Sequence, residues 1–128
     1  GVSTPHIAGY STDGKANGTS MIVNSLSSFF GLPLKNWYPS DIPEPEKTVI
    51  DIDCKGRNEE EIAGEIVKIS YDVVYDDISL RTSPGDFEKL RGNYRVRREF
   101  ASFNVVLKNS YPGIENMLKQ LKFKTVSV

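Results

Sequence analysis

The only histidine of the chain, His6, lies in the segment TPHIAGYS at residues 4–11. An imidazole titrates near neutral pH, so it can take a proton from a hydroxyl group or return one. Gly9 lets a cofactor or a second backbone approach closely. Any of residues 11–13 could cap a helix whose N-terminus would favour a negative charge. A lone loop histidine is more often structural, so proton transfer and a structural role both stay open at this point.

A basic cluster is the second candidate site. Its members are Lys89, Arg91, Arg95, Arg97 and Arg98. Such a cluster is most often a solvated face with ion pairs to neighbouring acids, here Glu88 and Glu99. The alternative is a phosphate site, because guanidinium groups bind phosphate through two parallel hydrogen bonds. Nucleic acid is not expected as a partner, because the net charge is −1 and aromatic residues are sparse around the cluster.

Three further features are expected to be structural. Asp51 and Asp53 share one face of a predicted strand, but two carboxylates are too few for a metal cage, so no metal is expected. Asp76 and Asp77 are expected in a surface turn. Cys54 is expected to be a small core residue, and as the only cysteine it excludes an internal disulfide.

Residues 4–9 resemble the signature of the D-isomer-specific 2-hydroxyacid dehydrogenases, in which the histidine of a Pro-His-x-Ala-Gly run is the catalytic acid/base. The continuation TDGKANGT at residues 12–19 is similar to the erythronate-4-phosphate dehydrogenase branch in particular. LRTSP at residues 80–84 and RREF at residues 97–100 look like the C-terminal dimerisation domain of that branch. The chain therefore resembles the C-terminal part of such an enzyme.

The resemblance implies that His6 is the proton donor or acceptor at the C2 hydroxyl, that Gly9 lies against NAD and that Tyr10 contacts the substrate. It also suggests that Arg97 and Arg98 contact the substrate phosphate across a dimer. The intact enzyme would use NAD to oxidise 4-phospho-D-erythronate to 2-oxo-3-hydroxy-4-phosphobutanoate, in pyridoxal 5′-phosphate synthesis. The family's glycine-rich nucleotide loop, substrate arginine and orienting glutamate have no counterpart here. The chain alone is therefore expected to be inactive.

The elements that would position these residues fall into three predicted segments. Residues 1–31 are expected to be the C-terminal end of the catalytic and NAD-binding core, with a strand, a loop and a helix over residues 11–30. The predicted apolar face of that helix consists of Met21, Ile22, Leu26, Phe29 and Phe30. Four of the seven prolines lie in residues 32–47 and favour an extended linker. Residues 48–128 are expected to be the dimerisation domain.

Apolar patterns in that third segment predict strands over residues 48–54, 99–108 and 123–128, the first with Ile50, Ile52 and Cys54 on one face. They predict helices from residues 58, 72, 83 and 112, the first with a capping box of Asn58 and Glu61. The expected fold is α+β: a small mixed or antiparallel sheet with helices on one face, preceded by a strand-loop-helix remnant of an α/β dehydrogenase core. So small a sheet leaves a face and its edges open, which predicts a homodimer.

Composition narrows the function classes further. Hydrophobic residues make up 38% of the chain and charged residues 26%, which is typical of a globular domain. No apolar run approaches the ~20 residues needed to cross a bilayer, so no membrane partner is expected, and the default compartment is the cytoplasm. Two rivals stay open: a small-molecule-binding regulatory domain appended to a 2-hydroxyacid dehydrogenase, and a stand-alone enzyme built around His6.

Overall fold

The computed structural model describes residues 1–128. The chain contains five α-helices and three β-strands, which confirms the α+β class. In chain order they are α1 (Thr12–Phe29), β1 (Val49–Asp53), α2 (Glu59–Ser70), α3 (Val73–Thr82), α4 (Phe87–Gly92), β2 (Asn104–Lys108), α5 (Pro112–Gln120) and β3 (Lys124–Ser127). Single 3-10 turns occupy Pro84–Asp86 and Phe100–Ser102.

The three strands form one sheet in the order β1-β2-β3, and both neighbouring pairs are parallel. The prediction of a mixed or antiparallel sheet is therefore wrong. Helices connect each strand to the next, α2 to α4 before β2 and α5 before β3, and such crossovers return the chain to the same end of the sheet. The alternating pattern of a strand identifies its buried face but carries no information about its direction.

One face of the sheet carries the core. Alternate residues of β1 and β2 point inward, where α2 and α5 cover them. The core residues are Ile50, Ile52, Cys54, Ile62, Ala63, Ile66, Phe103, Val105, Leu107, Ile114, Leu118 and Phe123. Burial of each large aliphatic side chain stabilises the fold by about 1.5–3 kcal/mol. The predicted capping box is present, with the Asn58 side chain accepting from the Glu61 amide and the Glu61 carboxylate accepting from the Asn58 amide.

Two segments that were predicted as strands have other structures. Residues 1–7 form no strand; the amide of His6 instead donates to the carbonyl of Thr4 at 2.8 Å in a tight turn. The strand predicted over residues 99–108 begins only at Asn104, because a 3-10 turn at Phe100–Ser102 replaces its first part. Before residue 32 the chain therefore contains a loop and a helix, and not the predicted strand-loop-helix unit.

Helix α1 confirms the predicted helix, with Ser11 as its N-cap. Its predicted apolar face is exposed, at fractions from 50% to 82%. These residues are Met21, Ile22, Leu26, Phe29 and Phe30. Polar groups hold the following chain against the helix: the Asn24 side chain bonds both the amide and the carbonyl of Trp37, and the Ser27 hydroxyl donates to the carbonyls of Leu32 and Leu34.

Candidate functional site

The loop of His6 is fixed by its neighbours while the histidine itself is exposed. Pro5 and Ile7 on either side are buried, Ile7 being only 2% accessible. His6 has φ of 56°, in the left-handed region that residues other than glycine seldom adopt. Such a conformation costs about 1–3 kcal/mol and persists only where the surroundings impose it. The structure thus presents a strained, solvent-facing imidazole immediately before α1.

Gly9 and Tyr10 form the other side of the loop. Gly9 has φ of 73°, and a methyl group added to it would meet no atom within 4 Å. The ring of Tyr10 packs edge-on against Tyr94, with ring centres 6.3 Å apart. Lys15 and Arg91 lie over the same ring, at 4.4 Å and 5.4 Å from its centre. Tyr10 therefore joins the His6 loop to the basic cluster, which lies more than 80 residues later in the sequence.

Groups from the His6 loop and from the basic cluster form hydrogen bonds to the first turn of α1. The Ser11 hydroxyl accepts from the amide of Gly14 at 3.0 Å. The amide of Thr12 donates to the carbonyl of Arg97 at 2.7 Å. Two of the donors that a helix N-terminus leaves free are thus already satisfied within the chain. The negative charge that this position favours is supplied by Asp13 in the first turn.

Arg98 binds Asp13 through two hydrogen bonds, Nε to Oδ2 at 3.0 Å and the second terminal nitrogen to Oδ1 at 3.1 Å. Its other terminal nitrogen donates to Glu44 at 2.7 Å. Burial raises the pKa of Asp13, but the bonds from Arg98 and from the Glu99 amide outweigh it and hold that pKa below its usual range. The bond to Asp13 likewise raises the pKa of Arg98. The Arg98 side chain is only 11% exposed.

The remaining arginines of the cluster have different partners. Arg97 lies over the ring of Tyr71, 4.6 Å from its centre, and forms no ion pair. Arg91 approaches Glu88 at 3.8 Å, while its Nε is buried without a hydrogen-bond partner. The expected pairing with Glu88 is present. Glu99 contributes its backbone amide, which donates to Asp13 at 2.7 Å.

The prediction of a surface turn at Asp76 and Asp77 is wrong, because both residues lie in α3. Asp76 is only 3% exposed. Its two carboxylate oxygens accept from the Tyr94 hydroxyl and from Arg95, each at 2.7 Å. Burial raises the pKa of Tyr94, and the adjacent carboxylate raises it further. The helix predicted from residue 72 is present and includes Asp76, but the partners of Asp76 depend on the fold.

A cavity of about 610 Å³ opens beside this network, between α3 and the segment that follows it. Its lining includes Asp72, Asp76, Lys89 and Arg95, together with Pro5 from the His6 loop. Both signs of charge and several hydroxyl groups therefore face the same space. Such a lining suits a small polar molecule that carries both charges, rather than an apolar one.

Asp51, Asp53 and Cys54 have the surroundings of structural residues. Asp51 and Asp53 lie on the exposed face of β1, and Asp53 accepts from the Asn109 side chain and the Lys55 amide. Cys54 is buried in the core, and burial raises the pKa of its thiol. No group of three or more metal-ligating side chains is close enough to hold an ion. None of the helices combines the length and the apolar character that crossing a membrane requires.

Comparison with known proteins decides the family. A family model described as "Domain of unknown function (DUF3410)" matches residues 43–121, which is more than half of the chain. This chain belongs to the DUF3410 family. The DUF3410 domain is the C-terminal domain of the erythronate-4-phosphate dehydrogenases, so the resemblance drawn from the sequence is confirmed.

Three proteins named erythronate-4-phosphate dehydrogenase illustrate the similarity. The protein of Edwardsiella ictaluri is 37% identical, over 82% of this chain and 28% of its own length. The protein of Marinobacter nauticus is 34% identical, over 96% of this chain and 34% of its own length. The protein of Klebsiella pneumoniae is 35% identical, over 98% of this chain and 33% of its own length. The chain spans about a third of the length of the curated relatives it matches.

The DUF3410 match divides the candidate site. The whole basic cluster, Asp76, and the sheet except for β3 lie inside residues 43–121. The loop of His6 and the helix α1 precede it. The contacts of Tyr10, Thr12 and Asp13 with residues 94–99 therefore connect the DUF3410 domain to the loop that carries the dehydrogenase-like signature.

Proposed function

We propose that this chain is the C-terminal part of an NAD-dependent enzyme that oxidises 4-phospho-D-erythronate to 2-oxo-3-hydroxy-4-phosphobutanoate, a cytoplasmic step of pyridoxal 5′-phosphate synthesis. One combined observation carries the proposal: the chain is 33–38% identical to erythronate-4-phosphate dehydrogenases, and the histidine of the signature segment is exposed on a strained loop. Family enzymes oxidise a hydroxyl, which requires a group that accepts its proton. His6 has the chemistry and the exposure for that role.

In this proposal His6 accepts the proton of the C2 hydroxyl during oxidation and returns it in the reverse reaction. Bound NAD supplies the hydride acceptor. Gly9 fits a position that a cofactor approaches, because the space beside its α-carbon is open. The chain contains no glycine-rich nucleotide loop, so residues outside this sequence would hold most of the cofactor. Tyr10, half-buried beside His6, would contact the substrate.

The substrate phosphate is proposed to reach the basic segment, as the resemblance suggests for Arg97 and Arg98. Arg97 is the better placed of the two. Its guanidinium group stacks on Tyr71 and has no carboxylate partner, so it could bind a dianion without breaking an ion pair. Arg98 would first have to leave Asp13 and Glu44. Replacing Arg97 with Gln should therefore raise KM for the phosphorylated substrate more than for its dephosphorylated analogue.

A direct test uses the intact protein, expressed from a gene that includes the coding DNA upstream of Gly1. We expect NADH formation with 4-phospho-D-erythronate, and we expect none from the 128-residue chain. Replacing His6 with Asn should lower kcat by at least ~100-fold, in the range of a lost general base. Asn tolerates positive φ, so this variant separates loss of the imidazole from backbone strain. Replacing the exposed Lys119 with Gln is the control, and full activity after His6→Asn would contradict the proposal.

A role in homodimerisation is proposed for the third segment. Parallel sheets in proteins are usually covered on both faces, whereas here α2 and α5 cover only one. The open face presents Val126, which is 56% exposed, beside the half-buried Val106. A second copy of the chain could cover this face. Light scattering should then give about twice the chain mass of 14.3 kDa, in line with paired C2 subunits.

Matched variants test the proposed interface. Val126→Lys places a charge on the open sheet face and should yield monomers. Val74→Lys changes a residue of similar exposure, 49%, on α3 and should leave the dimer intact. A wild-type chain that stays monomeric at high concentration would contradict the dimer proposal, and so would equal effects of the two substitutions.

The cavity supports a second candidate function, a regulatory site for a small molecule. Its lining includes Lys89 and Asp72 together with the ion pair of Arg95 and Asp76, and this mixture of both charges suits amino acids or pyridoxal phosphate. Calorimetry with these compounds on the 128-residue chain tests the idea. Saturable binding that Lys89→Ala abolishes would favour the regulatory function, and no heat from any of the compounds would count against it.

A further inference from the structure

We propose that Arg98 is a positioning residue, which holds the loop of His6 in place from the DUF3410 domain and does not bind the substrate phosphate. The inference rests on the proposed function for its catalytic consequence only. The contact itself lies within residues 1–128 and can be tested in this chain without any assay of activity.

Two carboxylates already occupy the guanidinium group of Arg98. Its Nε and both terminal nitrogens already donate to carboxylate oxygens of Asp13 and Glu44, at 2.7 to 3.1 Å. A phosphate brought to the same guanidinium group would stand beside two carboxylates, and like charges at that distance repel. Arg97, whose charge is not neutralised by a carboxylate, offers a better electrostatic environment for the same anion.

Arg98, in the third predicted segment, contacts both of the others. Asp13 belongs to the first turn of α1, Glu44 to the proline-rich linker, and Arg98 itself to the segment before β2. The planar guanidinium group is well suited to this, because it fixes the relative orientation of two partners and not only their distance. A lysine at the same position would keep the charge but could not form the paired bonds to Asp13.

The residues on both sides of Arg98 also bond to the start of α1. The Arg97 carbonyl accepts from the Thr12 amide, and the Glu99 amide donates to Asp13. Earlier in both segments, Tyr94 packs against Tyr10. Residues 10–13 are thus held against residues 94–99 by a backbone bond, an ion pair and an aromatic contact. Asp13 lies only seven positions after His6, so a shift of this turn would displace the imidazole.

The contact is tested first in the 128-residue chain by hydrogen exchange of the Thr12 amide. Arg98→Gln should speed that exchange by about tenfold or more, because the turn then opens more often, and Arg98→Lys should restore protection in part. Arg57→Gln, which breaks an exposed ion pair with Glu65, is the matched control and should leave Thr12 unchanged. Unchanged exchange of Thr12 in Arg98→Gln, with the fold intact by circular dichroism, would overturn the proposal.

The catalytic consequence is tested in the intact enzyme. Arg98→Gln should lower kcat by roughly 10- to 100-fold, the cost of a small misplacement of a catalytic group, by the same factor for the phosphorylated substrate and its dephosphorylated analogue. Asp13→Asn should reproduce this effect, and Arg98→Lys should recover part of it. A selective rise in KM for the phosphorylated substrate in Arg98→Gln would make Arg98 a phosphate ligand and overturn the proposal.

These two tests separate the two proposals. If the intact wild-type protein oxidised nothing, the proposed function would fall, while hydrogen exchange of Thr12 would still decide whether Arg98 anchors the turn. If the enzyme were active and Thr12 exchanged equally in Arg98→Gln and in the wild type, only the positioning role would fall.

Discussion

Replacing Asp76 with Ala should destabilise the chain far more than replacing its neighbour Asp77. Both residues are aspartates of α3, but their environments differ. Asp76 is 3% exposed and accepts hydrogen bonds from Tyr94 and Arg95. Asp77, whose side chain is 16% exposed, accepts from the Ser3 amide and from Arg81, but that arginine side chain is 58% exposed. Water can replace the lost partner of Arg81, but it has less access to the hydroxyl of Tyr94.

The size of the effect follows from the two bonds that Asp76 accepts. A hydrogen bond to a charged group contributes about 1.5–3 kcal/mol. The bond from Tyr94 should count nearly in full, because that hydroxyl loses its partner at a half-buried position. The bond from Arg95 counts less, since that side chain is 38% exposed and can be rehydrated. We therefore expect Asp76→Ala to lower the free energy of unfolding by about 3 kcal/mol.

Urea denaturation, followed by tryptophan fluorescence and by circular dichroism, measures this loss. The midpoint should fall for Asp76→Ala with an unchanged slope, and Asp77→Ala should shift it clearly less. A double-mutant cycle with Tyr94→Phe should show coupling, because both substitutions remove the same bond. Equal losses for the two aspartates, or strict additivity with Tyr94→Phe, would refute the reasoning.

Three other outcomes are expected. Asn58→Ala should lower the free energy of unfolding by about 1 kcal/mol, as lost N-caps do, in urea titration. The pKa of Asp13 is lowered by folding, so its stabilisation is present above the ordinary aspartate pKa and is lost as the pH falls through the folded value; acid titration should be less steep for Asp13→Asn. The buried thiol of Cys54, whose pKa is raised, should react with a thiol reagent only after unfolding.

The features that the sequence predicted correctly depend on local signals. The Asn58 capping box involves residues three apart, and the inward face of β1 follows from alternate residues Ile50 and Ile52. The prediction that one of residues 11–13 caps α1 also depends on a local signal, and Ser11 is that cap. Each could be predicted because one short segment contains the whole physical reason.

The features that it missed depend on partners far along the chain. The buried Asp76 accepts hydrogen bonds from Tyr94 and Arg95, which lie 18 and 19 residues later in the sequence. The direction of the strands depends on the connections between them, which strand periodicity does not encode. In the same way, nothing local distinguishes Arg97 from Arg98; the distinction appears only when Asp13 is brought beside one of them, 85 residues away in sequence.

The family boundary and the structural contacts suggest a final prediction about truncation. All twelve core residues lie between Ile50 and Phe123, so a chain of residues 43–128 should fold cooperatively without the segment before it. Residues 1–42 alone should not fold, because the apolar side chains of α1 are exposed and form no core of their own.

The truncation should also reveal the role of the ion pair. In residues 43–128, Arg98 keeps Glu44 but loses Asp13, and its guanidinium group gains water. Arg98→Gln should then change the unfolding midpoint less in the truncated chain than in the 128-residue chain, as measured by urea titration of both. An equal effect in the two chains would mean that Arg98 stabilises the DUF3410 domain itself, and that its bond to Asp13 has no influence on how the His6 loop is held.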